Sequence, residues 1–157
     1  HVLVYDPFLS DEKAAELGAE KTSLEELFTR CQTISNHVAN LPQTVGMVHY
    51  DLFRRMKENA VFINTGRGAQ VVEADLIRIL EEKPDITAVL DVTFPEPPAP
   101  DSKLYTLENV ILTPHIAGSA GQEVARMGEY MAEQFRKFKN KELCEYEVTL
   151  KMLETMA

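Results

Sequence analysis

At 157 residues, with 45% hydrophobic and 26% charged residues, the chain has the size and composition of one globular domain. Sixteen basic against 25 acidic residues give a net charge of −9, and no block of Lys or Arg stands out, which argues against a general nucleic-acid surface. No apolar run reaches the roughly 20 residues of a membrane span, and no leader pattern is visible. Cys31 and Cys144 form neither a metal-ligand spacing nor a disulfide framework, so no metal is expected and the cysteine usage fits a reducing cytoplasm.

Val2-Leu3-Val4-Tyr5 reads as a short apolar strand ending at Asp6-Pro7. An acidic residue at such an end can accept hydrogen bonds from two ribose hydroxyls and disfavours a 2′-phosphate. Taken by itself, it reads more readily as a turn aspartate before proline. The chain opens inside a strand without an initiator methionine and holds no G-x-G-x-x-G turn, so it is expected to be part of something longer. Ser10 can cap a helix over residues 11–17, stopped by Gly18. Ser23 and Glu26 have the capping-box spacing, and Leu24, Leu27, Phe28 and Cys31 give the following helix one apolar face.

Residues 33–38 predict the next strand, weakened by Asn36 and His37; His37 could approach a ligand or lie idle on the surface. A loop over residues 40–44 and a short helix over residues 51–56 lead to Ala60-Val61-Phe62-Ile63. This unbroken apolar run predicts a strand buried on both faces, as in a parallel sheet covered by helices. It runs into Asn64-Thr65-Gly66-Arg67-Gly68, where two glycines allow a bend and a close backbone approach, and Arg67 projects beyond the strand's carboxyl end.

Ala74, Leu76, Ile77 and Leu80 have helical spacing, and Lys83-Pro84 ends that helix. Thr87-Ala88-Val89-Leu90 predicts another buried strand, terminating in Asp91. Four prolines between Phe94 and Pro100 stiffen a loop that serves either as a linker or as a rigid mount for Glu96. Val110-Ile111-Leu112 predicts a last short strand, with Thr113-Pro114-His115-Ile116-Ala117-Gly118 at its end. A helix from near Ser119 to Lys139 is broken by Asn140, and residues 147–157 read as a final amphipathic segment. Strands and helices alternating at this length predict an α/β fold with a doubly wound parallel sheet.

Arg67, Glu96 and His115 each follow the end of a predicted parallel strand, so one sheet edge would gather them. An arginine, a carboxylate and an imidazole together suit hydride transfer on a 2-hydroxy acid. The chain resembles the cofactor-domain portion of the D-isomer-specific 2-hydroxyacid dehydrogenases. Ile63-Asn64-Thr65-Gly66-Arg67-Gly68 resembles the family's N-x-[AG]-R-G block. Leu90-Asp91-Val92 with Glu96-Pro97 resembles its D-V-F-x-x-E-P block, and Thr113 to Gly118 its P-H-[IL]-[AG]-G block. The likeness runs from Val2 to about Lys139.

The resemblance implies a Rossmann-like NAD-binding domain over residues 1–140, incomplete at its N-terminus, and a tail over residues 141–157 that returns to a substrate domain. It implies that Arg67 binds the substrate carboxylate and polarises the carbonyl, that His115 is the acid/base, and that Glu96 pairs with His115 and favours imidazolium. Asp6 matches the adenosine-ribose acceptor, which implies NAD over NADP. Val38 matches a backbone cofactor contact, Thr65, Gly66 and Arg67 line the nicotinamide side, Asp91 holds the carboxamide, and His115, Ile116, Ala117 and Gly118 close that wall. The implied partners are a 2-hydroxy or 2-keto acid and a second copy in a homodimer.

The chain departs from the family in its missing glycine-rich loop, in Val38 to Pro42, where L-P-L-T-P is common, and in Thr93, where an aromatic is usual. Glu96 argues against the formate-type branch, which has glutamine there. Corepressors that resemble the family keep the triad, so NAD sensing without catalysis stays open beside catalysis, as fold alone does not fix function. The isolated residues are expected to bind NAD weakly, to turn over no 2-hydroxy acid and to self-associate through an exposed strand edge.

Overall fold

Four parallel strands, β3 (Thr33–Asn36), β4 (Val61–Asn64), β5 (Thr87–Leu90) and β6 (Val110–Leu112), lie side by side in chain order in this computed structural model. The structure describes residues 1–154 and Met156. It divides into two compact units, His1–His115 and Ile116–Ala157.

In the first unit β1 (Val2–Val4) forms a separate two-stranded parallel sheet with β2 (Ala19–Lys21). The α/β parallel architecture is the expected one, but β2 was not foreseen. Ala-Glu-Lys carries no apolar run, and three residues become a strand here only by pairing with β1. Arg30 fastens this sheet to the neighbouring helix through Glu20, at 2.6 Å.

The helices follow their capping residues. Ser10 Oγ accepts from Lys13 N–H at the start of α1 (Asp11–Glu16). Ser23 Oγ accepts from Glu26 N–H at the start of α2 (Leu24–Arg30). The carboxylate of Glu26 turns outward to Thr22 Oγ1. The helix expected over residues 51–56 is one turn, α3 (Tyr50–Phe53), with Asp75 Oδ2 accepting from Tyr50 N–H at 3.0 Å. Glu73–Glu82 form α4, which ends at Lys83 before Pro84.

These helices bury Phe28, Phe53 and Leu76, Ile79 and Leu80 against Phe62 of β4. Phe53 meets Phe62 edge-on, ring centroids 5.1 Å apart at 86°, and Phe28 meets Phe53 at 5.9 Å and 77°. The strands alternate: Phe62 and Ala88 are buried, whereas Ile63 and Val89 are half-buried. Burial on both faces of β4, expected from its apolar run, is therefore complete on one face only.

In the second unit α5 (Gln122–Lys139) starts three residues after its expected beginning and ends at Asn140 as expected. Gln134 secures the return of the chain, its Oε1 accepting from Glu145 N–H at 2.9 Å, and Tyr130 lies against Tyr146, centroids 6.3 Å apart. The final segment contains one 3-10 turn, Met152–Glu154; Thr155 and Ala157 lie outside the described residues. No helix among the described residues is long and apolar enough to cross a membrane.

Candidate functional site

Because β3 to β6 are parallel neighbours, the segments leaving β4, β5 and β6 emerge at one sheet edge. These segments carry Arg67, Glu96 and His115. His115 Nδ1 lies 2.6 Å from Glu96 Oε1, so two residues 19 apart in the chain form an ion pair whenever the imidazole is protonated. Both side chains are a little under half exposed, accessible to a small molecule.

His115 reaches Glu96 through a local turn. Its backbone is left-handed, φ 52°, a conformation uncommon outside glycine. Its N–H is held by the carbonyls of Asp91 at 3.1 Å and Thr113 at 3.0 Å. On the other side Thr93 Oγ1 donates to Pro95 O at 2.8 Å, and Tyr105 Oη donates to Pro98 O at 3.1 Å. The proline-rich stretch is thus a mount for Glu96 rather than a slack linker. A cavity of about 450 Å³ opens beside the pair, with Asp91, Thr93, Tyr105 and Thr113 among its walls.

Arg67 is exposed, and its Nη1 donates to the carbonyl of Gly66 at 2.7 Å. What ties its turn to the Glu96 loop is Gly68: a Cβ there would stand 2.0 Å from the carbonyl carbon and oxygen of Thr93. The close approach expected of this glycine is real. Gly66 is less crowded, with Asn36 Nδ2 3.1 Å from the position of a Cβ.

The candidate cofactor residues fall into three groups. Thr65, Gly66 and Asp91 lie at the same edge as the pair. Asp91 is buried, and its carboxylate accepts from Thr113 Oγ1 at 2.5 Å. Asp6 closes β1, with Oδ1 accepting from Phe8 N–H at 2.7 Å. The adjacent Tyr5 shares a groove with Asn36 and Val38, which brings the ends of β1 and β3 together.

Val38 has its N–H on Asn36 Oδ1 and its C=O on Gln70 Nε2, so both backbone groups already have protein partners. Ile116, Ala117 and Gly118 open the second unit, where Gly118 has φ +117°. His37 bonds Ser35 at 2.7 Å and belongs to none of these groups. Among the described residues no group of three or more His, Cys, Asp or Glu could hold a metal ion.

Sequence reasoning missed Thr113, which orients Asp91, and the buried amides Asn36, Asn64 and Gln70. Polar residues closing apolar strands were the visible signal, since such side chains are buried only with partners. The edge fits a nicotinamide dinucleotide: a buried carboxylate for an amide donor, an accessible imidazole–carboxylate pair, and an acidic residue at the end of β1.

Residues 1–117 match the family model described as D-isomer specific 2-hydroxyacid dehydrogenase, NAD binding domain. Over 133 residues the chain is 36% identical to a D-3-phosphoglycerate dehydrogenase of Archaeoglobus fulgidus, covering 85% of this chain and 25% of that protein. Over 142 residues it is 37% identical to a glyoxylate reductase of Korarchaeum cryptofilum, covering 90% and 43%. The crystal structure of D-lactate dehydrogenase with NAD+ from Lactobacillus jensenii superposes with a TM-score of 0.82 at 30% identity, covering 94% of this chain and 48% of that one. The chain therefore spans about a quarter to a half of the length of these relatives. With its parallel sheet, its sequence blocks and these matches in agreement, the chain belongs to the D-isomer specific 2-hydroxyacid dehydrogenase family, by way of that family's NAD binding domain.

Proposed function

We propose that the protein is an oxidoreductase that interconverts a D-2-hydroxy acid and its 2-keto acid with NAD(H). Residues 1–140 are the cofactor-binding part, and residues 141–157 lead back to a substrate domain. The observation that carries this reading is the 2.6 Å contact between His115 Nδ1 and Glu96 Oε1, on the loops after two neighbouring parallel strands.

With Nδ1 facing Glu96, proton exchange with substrate runs through Nε2 of His115. On reduction the imidazolium gives its proton to the carbonyl oxygen, and on oxidation the neutral ring takes the hydroxyl proton back. Glu96 stabilises the charged ring in the first case and orients it in both. Arg67 turns from Gly66 O to hold the substrate carboxylate with two parallel N–H bonds. Bound NAD(H) supplies the hydride acceptor or donor.

Asp91 takes the carboxamide, with Thr65 and Gly66 at the same sheet edge and Val38 along the cofactor's path. Asp6 takes the ribose hydroxyls, and its charge opposes a 2′-phosphate, which selects NAD over NADP. The protein works in the cytoplasm as a homodimer. The test is a panel of 2-keto acids with NADH and with NADPH, using the protein at its natural length. Turnover of at least one acid, faster with NADH, is expected. NADH binding without turnover of any acid would favour a sensing role and overturn the catalytic one.

A further inference from the structure

Three buried amides lie beneath the Arg67 turn, and the reaction proposed above makes no use of them. Asn36 closes β3, Asn64 closes β4, and the two are register partners. Gln70 ends the 3-10 turn Gly68–Gln70 and is fully buried, as nearly are Asn64 and Asn36.

Asn36 Nδ2 donates to Asn64 Oδ1 at 3.0 Å and to Gln70 Oε1 at 2.5 Å. Gln70 Nε2 donates to the carbonyls of Val38 at 2.5 Å and Ala39 at 2.9 Å. Asn64 Oδ1 accepts from Gly66 N–H at 3.1 Å, and its Nδ2 donates to Arg67 O at 3.2 Å. Arg67 N–H points at Gln70 Oε1 at 3.4 Å, and Val38 N–H at Asn36 Oδ1 at 3.2 Å.

Two facts set this cluster apart from a merely satisfied core. Apolar side chains would fill the same space without the desolvation cost of burying amides. Moreover, the bonds do not close on themselves. They end on the backbone of Val38–Ala39 past β3 and of Gly66–Arg67 past β4. The N–H and C=O of both Val38 and Arg67 are gripped by members of the network.

We infer that Asn36, Asn64 and Gln70 are positioning residues that fix the spacing between the Val38–Ala39 segment and the Arg67 turn, and thereby aim the Arg67 guanidinium at the carboxylate of a 2-keto acid. The kinetic half of this inference rests on the dehydrogenase reading; the structural half rests on the hydrogen bonds alone. A satisfied buried network specifies one arrangement of what it holds, whereas an apolar filling would let the two loops slide.

Two variants of the protein at its natural length test this: Gln70→Leu, and the double variant Asn36→Leu with Gln70→Leu, which replaces both members of the Asn36–Gln70 contact by apolar groups. Amide hydrogen exchange should quicken about tenfold or more at Val38 and Arg67 in both variants, with Phe62 and Ile63 of β4 unchanged. Gln70→Leu should lower kcat/KM for the 2-keto acid about tenfold, the effect of roughly one lost hydrogen bond. The double variant also removes the Asn36 Oδ1 partner of Val38 N–H, so exchange there should quicken beyond that of Gln70→Leu, and kcat/KM should not recover. Recovery of kcat/KM in the double variant would make the network a stabilising element only and overturn the inference, as would unchanged exchange at Arg67. If the unaltered protein turns over no 2-keto acid, the dehydrogenase reading falls, and the exchange comparison still decides whether the network holds the turn.

Discussion

Gly68 packs its α-carbon so closely under Thr93 that a methyl group there would lie 2.0 Å from the Thr93 carbonyl. This contact joins the turn carrying Arg67 to the loop carrying Glu96, and both partners are backbone, so neither can swing aside. Gly68→Ala should therefore destabilise the fold by about 1–3 kcal/mol through overpacking. It should also separate the two loops, lowering activity more than thermal melts alone explain. Melting curves with steady-state kinetics on the same preparation check this, and an alanine variant with unchanged kcat/KM would deny the contact its role.

Glu96→Gln keeps the shape of the His115 partner and removes its charge. The amide can still bond His115 Nδ1 but no longer forms an ion pair with the ring that donates its proton during keto-acid reduction. Steady-state kinetics should show kcat for reduction lowered about tenfold, with NADH affinity changed by no more than a few-fold. An unchanged kcat would contradict the pairing.

Arg67→Lys keeps a positive charge but loses the planar fork that grips a carboxylate at two points. A loss of about 10²-fold in kcat/KM is expected, comparable with removal of one donor that stabilises transition-state charge. The affinity for NADH, measured by titration calorimetry, should change far less than this.

Glu20 offers a pH test away from the site. Hydrogen bonds from the Arg30 guanidinium hold its carboxyl below the usual carboxylate range, against an opposing desolvation effect. A carboxylate lowered in the folded state contributes stability above its unfolded value of about 4.3, and that contribution disappears as pH falls through the folded value. The stability advantage over Arg30→Met should accordingly be present at pH 7 and vanish in acid below the folded value. The pair is exposed, so the advantage should be modest and shrink with salt. Thermal melts of both proteins across this range check the sign.

Much of this architecture could be read from residue patterns, and the exceptions have physical causes. The apolar run Val61–Ile63 ending at a glycine-bracketed arginine announced both β4 and the Arg67 turn, because a buried parallel strand and a ligand-facing loop leave distinct local signatures. Ser10 and Ser23 marked their helices by side-chain capping alone. By contrast, β2 lacks any local signal and exists by pairing with β1. The role of Asn36 was equally hidden. It read as a flaw in a strand, yet its partner Gln70 stands 34 residues away and no local pattern joins them. The rigid seat of Glu96 depends on Thr93 and Tyr105 bonding to proline carbonyls, which composition could not distinguish from a linker.

The central claim is that His115, backed by Glu96, moves the proton that accompanies hydride transfer. Its most direct test is the initial rate of NADH oxidation by a 2-keto acid in His115→Gln, with NADH affinity measured in parallel and the protein at its natural length. The account predicts a fall in kcat of about 10²–10⁴-fold, the share commonly supplied by a positioned acid/base, with NADH affinity changed by no more than a few-fold. Turnover equal to that of the unaltered protein, with NADH bound as tightly, would contradict it.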